Sequence, residues 1–314
     1  MTTTTGTDVR SQKSTIVRTF QAPSLVRSAF QLLERTAPGL GARWAEHIWF
    51  TLPEVRHSSA SSASGASGAS GTARASIQPA AAEGSPFSLQ VDGHLVAGET
   101  WGAGPTVYLV HGWAGNRRQL AGFVAPLVAA GHRVAAFDAP SHGDSAPGAF
   151  GPRSSSIPEF AAALSAVVAA HGRPHAIIAH SMGSTATAVA LCDGLVANRV
   201  AMLAPMASPA AYARQFRSAF GFGERIHRKL VTRVQRRVGA PMHHFDVPDL
   251  GRAVAMPPTL VVHDRADTYT PVTDGAAIAA AWPGARLRVT TGLGHNRLLR
   301  DPDVIAEVVA FITA

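Results

Sequence analysis

The chain has 314 residues, of which 46% are hydrophobic, and a formal net charge of +8. It can bury a sizeable core, so a globular protein is predicted. The single cysteine, Cys192, excludes a disulfide within the chain, and no apolar run reaches the roughly 18 residues of a membrane span. We therefore expect a cytoplasmic protein. No nucleic-acid-binding motif accompanies the positive charge, so no nucleic-acid partner is expected, while solubility and attraction to anionic lipids or acidic substrates stay open.

The first part of the chain predicts a helical hairpin. Apolar residues recur at helical spacing over residues 24–35 and again around Trp44 and Ile48, up to Pro53. Packing on the main domain is expected, and contact with a membrane surface or a lid role is the alternative. Ser/Ala/Gly repeats then predict a flexible linker. The predicted division is an N-terminal helical extension over 1–56, a linker over 57–85 and the main domain over 86–314.

From Phe87 onward, strand-like and helix-like runs alternate, which is typical of a mostly parallel sheet with helices on both faces. The first two strands lack a helix between them, so we expect an antiparallel hairpin at one edge. Eight strands are predicted: 87–91, 95–101, 106–111, 133–138, 175–180, 199–203, 260–263 and 286–290. Helices are predicted over 118–130, 157–171, 184–192, 275–281 and 302–312. Residues from about 208 to 250 break the alternation with two basic helical patterns and predict a small cap.

The run from Ile177 to Ala186 predicts a nucleophile elbow, the sharp strand-to-helix turn that lifts a serine clear of the backbone. Ser181 lies at its tip. Such a turn tolerates only small neighbours two residues either side, and Ala179 and Gly183 meet that demand. Ala179 replaces the glycine of the usual G-x-S-x-G pattern.

A glycine-containing turn, His111 to Gly115, follows the third predicted strand. Its backbone amide at Trp113, together with the amide of Met182 at the start of the elbow helix, would supply the two donors of an oxyanion hole. His111 itself is interpreted as a strand-end residue that ties the loop down.

Activation of a serine needs a nearby base, and the sequence offers fourteen histidines. His295 follows the last strand on a glycine-rich loop, which would place it at the carboxyl edge of the sheet. His180 is interpreted as a packing residue and His142 as a residue that fastens the loop after the fourth strand. The other histidines show no metal-binding spacing, and no metal is expected.

Two carboxylates end the seventh strand, and one of them is needed to orient the histidine. We choose Asp267 because it lies further out on the loop, before a turn into the next helix, and we interpret Asp264 as bracing that loop. The resulting order is Ser181, Asp267, His295.

The region from Phe87 to Ala314 resembles the α/β-hydrolase fold superfamily in five motifs that occur in the expected order. They are His-Gly-Trp-Ala-Gly, Asp-Ala-Pro-Ser-His-Gly-Asp-Ser, Ala-His-Ser-Met-Gly, His-Asp-Arg-Ala-Asp and Gly-Leu-Gly-His. The resemblance implies an eight-stranded α/β-hydrolase sheet, with Ser181 as nucleophile, His295 as base, Asp267 as acid, and Trp113 and Met182 as oxyanion donors. The helical extension lies outside it.

These residues predict a serine hydrolase that cleaves an ester or related acyl bond of a small molecule through an acyl-enzyme, without a cofactor. A serine at the elbow argues against the chemistry of an aspartate nucleophile. Lyase, acyltransferase or peroxidase-like use of the same triad stays open, as does a non-catalytic binding protein with this fold. Apolar acyl groups of medium size are suggested by Trp113, Met182 and Phe222. Basic residues of the cap point either to a solvated face or to anionic acyl carriers. The sequence predicts no oligomeric state.

Overall fold

The computed structural model describes residues 21–53 and 84–314. Most of the predicted linker, 57–83, lies outside the described residues. Within the described ranges, no helix has the length and apolar character needed to cross a bilayer.

One eight-stranded sheet organises the main domain, and its strands follow the spatial order β1-β2-β4-β3-β5-β6-β7-β8. Strand β2 runs antiparallel to both of its neighbours, and the remaining pairs are parallel. The predicted fold class and its antiparallel edge hairpin are confirmed. The strands are β1 Ser85–Val91, β2 His94–Trp101, β3 Thr106–Val110, β4 Arg133–Phe137, β5 Pro174–His180, β6 Arg199–Leu203, β7 Thr259–Asp264 and β8 Arg286–Thr290.

Helices cover both faces of this sheet, as its long buried strands require. In chain order the α-helices are α1 Ser24–Thr36, α2 Pro38–Phe50, α3 Val124–Ala129, α4 Ile157–His171, α5 Met182–Cys192, α6 Pro209–Phe220, α7 Glu224–Val238, α8 Val247–Ala253, α9 Val272–Ala281, α10 Gly294–Arg297 and α11 Pro302–Thr313. One buried cluster lies under α4, α5, α8 and α9, and a second lies under α3 and α11.

The prediction of one continuous helix over 118–130 is wrong, because the structure has two successive helices there. A 3₁₀ helix, Arg117–Phe123, comes first, and α3 then begins at Val124. The physical reason is Pro126, which has no amide hydrogen for a helix interior but is tolerated in a first turn. The break therefore places this proline at the start of a new helix.

The N-terminal helices α1 and α2, which we call the arm, pack on α6 and α7 of the cap. Their shared core is aromatic. The rings of Phe30 and Trp44 stack with centroids 4.3 Å apart, and Phe220 and Phe222 of the cap contact Phe30 at 5.9 and 5.2 Å. The arm and the cap thus bury a common apolar cluster, separate from the two clusters on the sheet.

Ionic and capping contacts fix the arm to α7. The Glu34 carboxylate accepts hydrogen bonds from the backbone amides of Gly223 (3.1 Å), Arg225 (2.8 Å) and Ile226 (3.0 Å). Gly223, the N-cap residue of α7, has no side chain for this task, so the arm supplies the cap of a helix far away in sequence. Glu46, which is buried, pairs with Arg233 of the same helix.

Several basic residues of the cap are used within this assembly. The Arg225 guanidinium donates to the carbonyl of Glu34 at 3.1 Å, and that of Arg237 donates to the carbonyl of Phe150 at 2.9 Å. Arg237 also lies over the ring of Phe50, 4.7 Å from its centroid. Part of the basic character of the cap therefore serves to hold neighbouring segments.

Replacement of Glu34 by Ala should destabilise the protein by about 1–2 kcal/mol, because three amides at the start of α7 lose their shared acceptor. Urea unfolding of the full chain measures the change. The control is Glu307→Ala, which removes a half-exposed pair with Arg288 and should shift the unfolding free energy by less than about 1 kcal/mol. Equal effects of the two substitutions would contradict the capping role of Glu34.

Candidate active site

Ser181 lies in the turn between β5 and α5 with a left-handed backbone, φ 52° and ψ −123°. A residue with a Cβ is strained there, by roughly 1–3 kcal/mol. The turn is held by hydrogen bonds from the Ser181 amide to the carbonyl of Leu203 and from the Ser184 amide to the carbonyl of Ser181, both 3.0 Å. The geometry is that of a nucleophile elbow.

The small residues around Ser181 are explained by close backbone approach. A Cβ on Gly183 would lie 2.8 Å from the carbonyl oxygen of Val110 and would overlap that of His111. A Cβ on Gly112 would lie 3.0 Å from the Cβ of Ser181. Ala179 is fully buried in β5. The loop after β3 therefore lies directly against the elbow.

Two backbone amides are available beside Ser181. The N–H groups of Trp113 and Met182 have no hydrogen-bond acceptor among the described residues. Met182 is the first residue of α5, where an amide has no partner within the helix and the helix dipole is positive. The two amides that the sequence predicted as oxyanion donors are thus free to receive an acceptor.

His295 and Asp267 are in direct contact. The Nδ1 atom of His295 lies 2.7 Å from Oδ2 of Asp267, and the carboxylate is completely buried. Because a carboxylate only accepts, Nδ1 carries the proton and Nε2 is left as an acceptor. The loop 265–270 after β7 carries Asp267, the short helix α10 after β8 carries His295, and together they bring the two side chains into contact.

Burial by itself would raise the pKa of Asp267, but hydrogen bonds from His263 and His295 and from the Tyr269 amide outweigh it, and the pKa falls well below its usual range. Thr270 adds an amide at 3.0 Å and a hydroxyl at 3.1 Å. The carboxylate is therefore ionised at neutral pH, as an orienting partner of a histidine must be.

Asp264 has a different environment. Its carboxylate accepts from the Ala266 amide (2.8 Å), the Thr290 hydroxyl (2.7 Å) and the Leu293 amide (3.0 Å). These contacts tie the β7 loop to the loop that bears His295. This is the bracing arrangement that the sequence suggested.

Ser181 and His295 line one cavity of about 1070 Å³, together with Trp113 and Met182. Within the described part of the chain, no hydrogen bond joins the Ser181 hydroxyl to His295. The structure thus brings the four predicted residues and Asp267 to one edge of the sheet, with the histidine paired to the carboxylate and the serine in the lining of the same cavity. Phe222 is not in the lining and packs on the arm instead.

Two buried histidines brace the loop of the candidate donors. Nδ1 of His111 lies 2.7 Å from the Gly112 carbonyl, and Nε2 accepts from the Ala139 amide at 3.0 Å. His142 accepts from the Ala114 amide at 3.2 Å and contacts the Pro140 carbonyl at 2.9 Å. Burial lowers the pKa of His111 to about 4 and that of His142 to about 3, so both are neutral at pH 7.

His180 does more than pack, which the sequence did not predict. Its Nε2 lies 3.1 Å from the His295 carbonyl, and its Nδ1 lies 3.3 Å from the amide oxygen of Gln119, which accepts from the Gly112 amide at 2.8 Å. Burial, and then the charge of His295, lower its pKa to about 3. Both neighbours of the ring are oxygen acceptors, so the neutral imidazole donates its one N–H to either of them and contacts the other. His180 therefore packs between the segment of His295 and the loop after β3.

Gln119, His263 and Thr270 also escaped prediction from the sequence. Gln119 comes from a 3₁₀ helix and reaches the site only through the fold. The only sequence signal was the position of His263 and Thr270 beside the strand-ending carboxylates. Among the described residues, no group of three or more His, Cys, Asp or Glu could hold a metal ion.

An elbow, a paired histidine and carboxylate, and two amides without an acceptor among the residues described lie at one sheet edge, and this combination is typical of enzymes that act on acyl bonds. A sequence model of the Alpha/beta hydrolase family matches residues 107–308. The chain belongs to this family and is a hydrolase. No curated protein matches its sequence significantly.

Solved structures share the fold at low identity. An esterase from Rhodococcus sp. ECU1013 has a TM-score of 0.56 at 19% identity, over 73% of this chain and 99% of the esterase. The esterase EaEST from Exiguobacterium antarcticum has a TM-score of 0.55 at 16% identity, over 72% and 99%. A thioesterase domain from the curacin biosynthetic pathway has a TM-score of 0.55 at 17% identity, over 74% and 100%.

The depressed pKa of His142 makes stability depend on pH. Below the usual pKa of 6.5, His142 is protonated in the unfolded chain but stays neutral in the folded chain. The contribution of the buried neutral ring to the unfolding free energy is therefore fully present above pH 6.5 and is lost as the pH falls toward about 3. In His142→Asn we expect the loss of unfolding free energy between about pH 7.5 and about pH 5 to be smaller by ~2 kcal/mol than in the wild type.

Urea unfolding at the two pH values measures this difference. His243→Asn, at an exposed position of the cap, is the matched control and should keep the wild-type dependence. An unchanged pH dependence in His142→Asn would show that His142 is not held neutral in the folded protein.

Proposed function

We propose that the protein hydrolyses a carboxylic ester or a related acyl bond through Ser181, His295 and Asp267. The observation that carries the proposal is His295, which is held 2.7 Å from the buried Asp267 carboxylate and lines the same cavity as the strained Ser181. A serine on an elbow, with an oriented histidine at the same sheet edge, is the arrangement of nucleophilic acyl transfer.

In the first half-reaction, the Ser181 hydroxyl attacks the acyl carbon while Nε2 of His295 takes its proton. Ser181 and His295 line the same cavity, and the contact between a nucleophile and its base often tightens only with substrate bound. Asp267 holds the Nδ1 tautomer and stabilises the imidazolium. His295 then gives the proton to the leaving group, and the acyl group remains on Ser181.

In the second half-reaction, water gives a proton to Nε2 of His295 and attacks the acyl-serine. The proton returns to the Ser181 oxygen, and the carboxylic acid leaves. In both tetrahedral intermediates the oxyanion accepts hydrogen bonds from the amides of Trp113 and Met182, which have no competing acceptor among the described residues. These steps need only the named groups and water.

Esters and thioesters are the substrate classes to test first. Two of the structural neighbours are named as esterases and one as a thioesterase domain, and the same three side chains serve either bond.

A fluorophosphonate probe should label the folded wild-type protein at Ser181 and leave Ser181→Ala unlabelled, because the elbow serine shares its cavity with the Asp267-paired histidine and lies at the start of α5. Hydrolysis of p-nitrophenyl esters should fall by about 10⁴-fold or more in Ser181→Ala. Ser165→Ala, at an exposed position of α4, is the control and should keep labelling and turnover. Negligible turnover that Ser181→Ala leaves unchanged would identify a non-catalytic binding protein.

Asp267→Asn should lower kcat for ester hydrolysis by about 10⁴-fold with little change in KM, because the amide no longer fixes the tautomer of His295. Steady-state kinetics at neutral pH measure the effect, and circular dichroism checks the fold. Asp303→Asn, exposed in the first turn of α11, is the control. A loss confined to KM would contradict the assigned role of Asp267.

A further inference from the structure

The cavity over Ser181 is built by three parts of the chain. The sheet edge supplies its floor, α6 and α7 of the cap supply one wall, and residues 47–53 at the end of the arm supply another. The arm is thus part of the site, although it lies outside the region matched by the family and before residues 54–83.

The lining contributed by the arm and the cap is mainly apolar. Ile48, Trp49 and Leu52 come from the arm, and Tyr212 and Phe216 come from α6. The Trp49 ring contacts these two rings, with centroids 5.5 and 5.4 Å away. Among the described residues that line the cavity, none is Asp or Glu. Such a surface favours an apolar occupant and offers little to a cationic one.

The arm wall is attached at both of its sides. Toward the cap it is held by the Glu34 and Glu46 contacts with α7. Toward the sheet domain, the Leu52 amide donates to the Arg153 carbonyl at 2.7 Å, and the Arg153 guanidinium donates to the Leu52 carbonyl at 3.0 Å. A wall fixed in this way shapes the cavity in the resting protein.

We propose that the arm forms one wall of an acyl-binding pocket and that Ile48, Trp49 and Leu52 contact a long apolar acyl chain whose carbonyl carbon lies at Ser181. This inference rests on the proposed function and adds the substrate class to it. The volume, about 1070 Å³, is at the upper end of ligand pockets and far exceeds an acetyl group. Each methylene that enters the apolar lining should raise kcat/KM about fourfold until the pocket is filled, the equivalent of ~0.8 kcal/mol.

The test compares p-nitrophenyl acetate, octanoate and dodecanoate with the full chain. In the wild type, kcat/KM should rise from acetate to the longer esters. Ile48→Phe places a larger side chain in the cavity and should lower the ratio of kcat/KM for dodecanoate to that for acetate by about tenfold or more. Ile48→Ala removes contacts with the acyl chain and should lower the same ratio by about threefold or more.

Leu40→Phe is the matched control, because Leu40 lies on the same helix but is 59% exposed and away from the cavity. It should keep the wild-type ratio and acetate turnover. A preference for acetate in the wild type, or the same ratio in Ile48→Phe, Ile48→Ala and Leu40→Phe, would overturn the proposal.

A binding measurement separates this proposal from the proposed function. Calorimetric titration of sodium dodecanoate into Ser181→Ala should give binding that Ile48→Phe in the same background weakens about tenfold or more and Leu40→Phe does not. If dodecanoate binds in this pattern and no ester is hydrolysed, the acyl site stands and the hydrolytic function fails. If esters are hydrolysed and dodecanoate does not bind, the arm proposal fails alone.

Discussion

The candidate site depends on how closely the loop after β3 approaches the turn between β5 and α5. Gly183 allows that approach, because any Cβ there would meet the carbonyl oxygens of Val110 and His111. Gly112, in the loop after β3, also allows the approach, because a Cβ there would lie 3.0 Å from the Cβ of Ser181. The contact places two amides, which have no acceptor in the described part of the chain, beside a serine whose backbone is strained. Strain of this kind persists only where the surrounding structure enforces it. Hydrogen bonds of the Ser181 turn to its neighbours provide that enforcement.

Neutral, buried histidines stiffen the surroundings of the site. His111 and His142 each accept an amide of another loop at Nε2 and contact a carbonyl of their own loop at Nδ1, and His180 contacts oxygens of two other segments. Burial lowers the pKa of all three. A neutral imidazole suits His111 and His142 because each faces one carbonyl acceptor and one amide donor. The single histidine assigned to proton transfer, His295, differs from them because it is paired with an ionised carboxylate. Histidines of this site thus differ in their partners: three contact loop backbone, and the proposed base is the one paired with Asp267.

The arm shows how a segment outside the family region becomes part of the site. It buries aromatic rings with the cap, caps α7 through Glu34, and pairs Glu46 with Arg233. Basic residues of the cap that looked like a surface for anionic partners are in part engaged in these contacts. The same packing encloses the cavity above Ser181, so the attachment of the arm and the shape of this cavity are one structural feature.

The sequence by itself determined the alternation of strands and helices, the hairpin of the arm, and the elbow with its small neighbours, because periodicity and steric demands are local properties of the chain. It also singled out Asp267 and His295, since loops that follow parallel strands meet at one edge. Only the tertiary structure decided that Gln119 and His180 link the loops of the site, that Phe222 packs on the arm, and that the arm lines the cavity. These are contacts between residues far apart in the sequence, and no local pattern encodes which surfaces meet when the chain folds.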